Sequence, residues 1–311
     1  GIRMQKKQTI AEAEVEKEKL NVDMYALNNR VNDLYFGILL LDEQIKQNTL
    51  LQDELERNYR QITAYVENGI ANQADLDAVK VEQLNTKQKR IDLVSSRAAY
   101  LKMLSLLVGE ALSPETVLEK PVPQSTVSAV SEIRRPELAL FDAQGAGLQV
   151  QEKALNVRHL PQFGLFVQGA YGNPGLDMLK NEFSPYYMAG VRLSWNFGSL
   201  YTLKNDRRVI EKKRQQLDNN RDVFLFNTRL EMTQQDQAIH SLEKQMRDDD
   251  EIIRLRTNIR KAAEAKVANG TLTVTEMLRE LTNESLARQS KAMHEIQRLM
   301  GIYQLKYTIN D

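Results

Sequence analysis

The 311-residue chain carries 42 basic and 42 acidic side chains and no net charge, so neither nucleic acid nor an anionic surface is an obvious partner. It has no cysteine, which excludes disulfides, thiolate metal sites and cysteine nucleophiles. Aromatics are only 6%, while Gln, Asn, Leu, Ala, Glu, Lys and Arg abound, a profile that suits long exposed helices better than a large globular core.

The chain opens at Gly1 inside a running helical pattern, with no signal peptide, and reads as a processed or trimmed product. From Leu20 apolar residues recur at spacings of four and three: Met24, Leu27, Val31, Leu34, Ile38, Leu41, Ile45 and, after Asn48 and Gln52, Leu55, Tyr59, Ile62 and Val66. That is a coiled-coil period, and at about 1.5 Å per residue a helix from the start of the chain to Val66 would reach roughly 100 Å, too long for a compact domain. It stops at Asn68-Gly69, where glycine can take the left-handed conformation that closes a helix. Asn72 with Asp75, a weaker analogue of a capping box, then opens a second helix, about residues 75–108, along Ile91, Val94, Ala98 and Leu101.

Pro114, Pro121 and Pro123 break the helical pattern into an irregular segment, residues 110–135. Pro136 suits the first position of a shorter helix, 136–159, which stops before Pro161. In the segment 160–198, Phe163, Leu165, Val167 and Tyr171 alternate with Gly164, Phe166, Gln168 and Ala170. After a loop, Tyr187, Ala189, Val191, Leu193, Trp195 and Phe197 alternate with Met188, Gly190, Arg192, Ser194 and Asn196. Such a pair is compatible with a hairpin on a soluble core. A strand of about eleven residues with aromatics near both ends is also long enough to cross a bilayer at a tilt, which makes Tyr187, Val191, Leu193, Trp195 and Phe197 candidate membrane-facing residues.

The remainder, 199–311, repeats the first 109 residues. A long helix along Ile210, Leu217, Phe224, Leu242, Met246, Ile253 and Ile259 ends at Asn269-Gly270, and Thr273 with Glu276 caps a last helix from Val274 to about Tyr307. The two tips, residues 67–74 and 268–274, lie about 201 residues apart with matching Asp75-Leu76 and Glu276-Met277, the mark of an internal duplication. The same shift places the counterpart of the strand pair, and of its preceding helix, before residue 1, so an upstream part of the first repeat is expected beyond this chain.

In their order and spacing these fragments resemble the TolC family of outer-membrane efflux proteins over essentially the whole chain. The resemblance rests on the paired tips, on Arg135-Pro136-Glu137-Leu138, on Leu160-Pro161 before a strand, and on Leu193-Ser194-Trp195-Asn196-Phe197-Gly198 leading into a long helix. It implies a mainly helical fold of long antiparallel coiled-coil hairpins in two repeats. It further implies a homotrimer in which each subunit gives strands to one outer-membrane β-barrel above a periplasmic helical tunnel, of which this chain supplies one hairpin. It implies Asp75 and Glu276 as acids at the tunnel mouth, and Asn68, Gly69, Asn269 and Gly270 as tips that meet a periplasmic adaptor protein linked to an inner-membrane pump. The family member compared has an arginine two residues after the second glycine, a tyrosine three before it and an acid three after the Glu276 position. Leu272, Val267 and Arg279 stand there in this chain, so the closing latch differs or is absent.

No catalytic constellation, cofactor site or metal site is expected. Asp248-Asp249-Asp250-Glu251 on consecutive helical positions cannot converge on one ion and reads as a solvated or lumen-facing stripe. His294-Glu295 lacks the second histidine of a zincin, since Arg298 occupies its place, and His159, His240 and His294 are far apart. Gly145-Ala146-Gly147 falls within a helix, the wrong context for phosphate binding. The expected function is a passive export conduit of a tripartite efflux or type I secretion system, not an enzyme; the alternative is a soluble coiled-coil scaffold.

Overall fold

The computed structural model describes residues 2–122, 131–158, 160–173, 175, 179, 181–195 and 197–310, without the side chains of 199 and 200. Pro123, His159 and Asn196, singled out above, lie outside the described residues. The elements in order are α1 (Ile2–Glu67), α2 (Gln73–Val108), α3 (Pro136–Arg158), β1 (Gln162–Gly172), β2 (Ser184–Ser194), α4 (Ser199–Ala268) and α5 (Val274–Ile309). The chain is thus mainly helical with one antiparallel hairpin, as the patterning predicts, and no helix among the described residues is long and apolar enough to cross a membrane.

The duplication is structural as well as sequential. Gln73 and Val274 open α2 and α5, Val108 and Ile309 end them, and Gly109 and Asn310 close them in the left-handed conformation, at φ 74° and 63°. Each pair is 201 residues apart.

The chain forms two compact units, Gly1–Val22 with Pro136–Phe224 and Asp23–Arg135 with Leu225–Asp311. In the second unit, Ile38, Leu55 and Ile62 of the α1 seam are buried with Asn48 among them, whereas Met24 at its start is exposed. In α2 the expected line is corrected: Ile91, Val94 and Ala98 face outward, and the helix buries Val79, Thr86, Leu93, Leu101 and Leu104. α2 is apolar along two stripes, and spacing sets the period of a stripe without saying which one turns inward. Ile259 of α4 is exposed for the same reason.

Residues 110–122 are irregular, as their prolines require, and are strapped down by side chains. Arg97 donates to the carbonyls of Pro114 (2.6 Å) and Thr116 (2.8 Å), and Tyr35 donates its hydroxyl to the Glu119 carbonyl (2.6 Å).

Polar bridges between paired helices recur at the same 201-residue offset. Arg97 pairs with Asp42 across α1 and α2, and Arg298 pairs with Glu243 at 2.9 Å across α4 and α5. The hydrogen bond from Arg298 is the main reason the Glu243 carboxyl is held below the usual carboxylate range. Buried Asn48 donates to the Thr86 carbonyl (3.1 Å), and its side-chain oxygen has no partner. Its counterpart Asp249 is also buried and meets His294 Nδ1 at 2.9 Å, and Asp250 pairs with Lys291. The acidic run 248–251 is therefore not uniformly the solvated stripe expected, because Asp249 faces α5.

Deeper in the second hairpin, Glu284 of α5 is 1% exposed and accepts from Thr257 (2.7 Å), Arg288 (2.6 Å) and Arg260. Burial pushes its carboxyl up, but these donors outweigh burial and the net shift is downward.

Asn48→Leu removes an unsatisfied buried oxygen from an apolar seam and should stabilise the chain by about 1 kcal/mol in urea unfolding. Glu284→Gln leaves the Arg260 charge half-compensated and should cost about 3 kcal/mol near neutral pH. A carboxylate whose folded pKa is depressed contributes stability above its ordinary value near 4.5 and loses it as pH falls through the folded pKa. Acid titration of stability below pH 4.5 should therefore be steeper in the parent than in the variant.

Candidate functional site

Two regions carry the candidate residues: the tips of the helical hairpins in the second unit and the β-hairpin in the first. At the first tip Gly69 (φ 72°) ends α1, with Gly69 N donating to the Val66 carbonyl (3.1 Å) and Ile70 N to that of Tyr65 (2.8 Å). At the second, Gly270 (φ 66°) donates to Val267 (2.9 Å) and Thr271 to Lys266 (2.9 Å). Both are Schellman closures, which satisfy the helix's last carbonyls in the fewest residues. Asn68 and Asn269 add matching side-chain bonds to the carbonyls of Ala64 (2.7 Å) and Ala265 (2.8 Å). A Cβ at either glycine would meet nothing within 4 Å, so each glycine opens onto free space.

Both tip acids close capping boxes. Asp75 accepts from the Asn72 amide (3.0 Å) while Asn72 accepts from the Asp75 amide (3.0 Å). Glu276 accepts from the Thr273 amide (3.1 Å) and hydroxyl (2.8 Å), and these bonds, the hydroxyl first, hold its carboxyl below the usual range. Glu276 is exposed and Asp75 half-buried.

Behind the acids one apolar cluster joins the two hairpins, with Leu55, Ile62 and Val79 from the first packed with Val267, Met277 and Leu281 from the second. Leu272 packs against this cluster, and Arg279 is exposed beside Glu280 at 3.6 Å. Two of the three positions that depart from the compared family member thus serve the tip core with apolar side chains.

The β-hairpin pairs Gln162 with Ser194 through to Gly172 with Ser184, an unbroken antiparallel register of two eleven-residue strands. One face carries the cross-strand pairs Phe163–Leu193, Leu165–Val191, Val167–Ala189 and Gly169–Tyr187. These side chains are bare: Leu165 is 87% exposed, Val167 79%, Tyr187 80% and Val191 67%. On the other face Phe166 lies against Gly190, with the Arg192 guanidinium 5.5 Å from its ring centre. β2 ends at Ser194, so Trp195 and Phe197, expected within the strand, follow it. Their rings lie 4.3 Å apart at one end of the hairpin, and Tyr171 and Phe183 stack at 5.8 Å at the other.

Reading the tips alone missed the interhelical bridges Asp42–Arg97, Glu243–Arg298 and Asp249–His294. Laying the chain over itself at a shift of 201 would have aligned Asp42 with Glu243, Arg97 with Arg298 and Asn48 with Asp249. Among the described residues no group of three histidine or acidic side chains is placed to hold a metal ion.

No family model matches the chain, and no curated protein matches it in sequence. In structure it is similar to the outer-membrane protein VceC of Vibrio cholerae, with TM-score 0.80 and 11% identity over 99% of this chain and 75% of that one. It is likewise similar to the CmeC outer-membrane channel of Campylobacter jejuni, with TM-score 0.76 and 11% identity over 99% and 67%. A third neighbour is CusC, studied for transmembrane channel formation, with TM-score 0.78 and 16% identity over 98% and 74%. At these identities the likeness is one of fold, and the chain has the TolC-like fold of outer-membrane channel proteins that its tips and strand pair imply.

Proposed function

We propose that the chain is a subunit of an outer-membrane channel, a passive export conduit of a tripartite efflux or type I secretion system. The observation that carries this reading is the β-hairpin's bare apolar face, eleven residues long on both strands and bounded by aromatic pairs. An exposed apolar surface of this kind needs a non-aqueous neighbour, and its strand length matches a tilted crossing of a bilayer. A soluble scaffold would cover it with helices instead.

In this reading homotrimers close the barrel in the outer membrane and enclose a periplasmic tunnel. Asp75 and Glu276, gathered by symmetry at the tunnel mouth, would favour cations while continuing to cap their helices. The tips at Asn68-Gly69 and Asn269-Gly270 dock a periplasmic adaptor, and through it an inner-membrane pump supplies the energy. The chain itself performs no chemistry.

Leu165→Arg with Val191→Arg places two charges on the lipid-facing side, each costing about 2–4 kcal/mol near the bilayer midplane. Flotation of the chain with phosphatidylcholine vesicles should fall at least about tenfold in the double variant, and equal flotation would count against membrane insertion. Gly69→Trp with Gly270→Trp should abolish binding of the cognate adaptor in a pull-down. Gly69→Asn with Gly270→Asn, which tolerates the left-handed turn, should retain it, with helicity measured by circular dichroism kept in both.

A further inference from the structure

The chain's zero net charge conceals a local imbalance. Three helical stretches adjoin the β-hairpin in the first unit: residues 2–11 of α1, 149–158 of α3 and 199–214 of α4. Together they carry eleven Lys and Arg against three acids, so the rest of the chain holds the balancing excess of acid. The stretches also meet in space. Met4, Gln5 and Gln8 of α1 line one groove with Arg158 of α3, Gln162 at the foot of β1 and Ile210 of α4.

Some of these cations are engaged: Arg214 pairs with Glu152 at 2.7 Å, and Arg207 donates to the Asn156 side-chain oxygen at 2.6 Å. Arg3, Lys6, Lys7, Lys204 and Arg208 are exposed and have no acidic partner among the described residues. Unit 1 thus presents a collar of free cations where its apolar face stops. Phe163–Leu193 is the last apolar pair of that face, and Gln162–Ser194 closes the strands beside it.

We propose that this collar binds the anionic headgroups of the phospholipid leaflet that borders the hairpin. The proposal rests on the reading that the hairpin's apolar face is in lipid. The attraction of free cations to a charged membrane surface falls off over a Debye length, about 10 Å at ordinary ionic strength. Lys204 lies five residues into α4 from Ser199, roughly 8 Å at the helical rise, so an embedded hairpin holds it inside that range. A soluble polyanion would need no adjoining apolar face, and the continuity of collar and face favours the membrane.

The test is flotation of the chain with vesicles of phosphatidylcholine alone and of equimolar phosphatidylcholine and phosphatidylglycerol. The parent should bind the mixed vesicles about tenfold or more tightly than the neutral ones, an advantage that collapses in high salt. K6Q/K7Q/K204Q/R208Q should lose that advantage and bind neutral vesicles like the parent. K87Q/K89Q/K261Q/K266Q, an equal change of charge in the other unit, should keep it. Equal binding of the parent to both vesicles, an unaltered advantage in the collar variant, or an equal loss in the control would each overturn the collar while leaving the embedded hairpin intact. Failure of the parent to bind neutral vesicles better than the Leu165→Arg, Val191→Arg variant would overturn both readings.

Discussion

Left-handed glycines at positions 69 and 270 fix where each pair of long helices reverses, and with that the register of everything packed behind the turns. A Schellman closure satisfies the carbonyls of the outgoing helix and a capping box the amides of the returning one, leaving the connection little freedom. Side chains at similar distances from the glycine therefore face each other. Asp42 meets Arg97, Asn48 meets Thr86, Glu243 meets Arg298 and Thr257 meets Glu284, each pair nearly centred on its turn. A longer or looser tip would let the heptads slide, and these bridges would lose their partners.

What the duplication preserves is the position of a bridge more faithfully than its chemistry. Asp42–Arg97 recurs with Glu in place of Asp. Asn48 becomes Asp249, and Leu93 becomes His294, so the oxygen left unpaired in the first hairpin gains a ring nitrogen in the second. Glu56 accepts from Gln83 at 3.0 Å in the first hairpin, while 201 residues later Thr257 donates to Glu284, with donor and acceptor exchanged between the helices. The second hairpin consequently buries two acids, Asp249 and Glu284, between its helices, where the first buries the neutral amide of Asn48 and keeps its charge at Asp42–Arg97. Such a buried ionic bridge adds little net stability over an apolar pair, because the desolvation of each charge offsets much of the attraction, whereas removing one partner leaves the other uncompensated.

Most helix limits, both turns and both capping boxes were legible in the sequence because each is encoded locally: an Asn-Gly, a Thr-x-x-Glu, a proline at residue 136. The two faces of each strand were legible too, since alternation leaves only two to choose between. The inward face of α2 was not, because Ile91 and Val94 make an outer stripe as regular as the buried one through Val79, Thr86 and Leu93. The end of β2 was overrun because Trp195 and Phe197 continue the alternation past the last paired residue, Ser194. At the tips, Asp75 and Glu276 were read correctly as capping residues. A role at a tunnel mouth depends on symmetry, which one chain cannot express.

The β-hairpin poses a physical problem that the single chain leaves open and the channel reading resolves. Two strands alone are at best marginally stable in water, and among the described residues β1 and β2 each have one outer edge with no neighbouring strand. Those edges flank a face whose apolar side chains are bare, a combination that promotes uncontrolled pairing in an aqueous compartment. In lipid the same edges are costlier still, because no water is available to satisfy them, and a closed barrel is the only sheet that leaves none. Under the channel reading, further strands must complete both edges at once, so membrane insertion and assembly become one event. Free cations at the foot of the strands would favour the same event where the bordering leaflet is anionic.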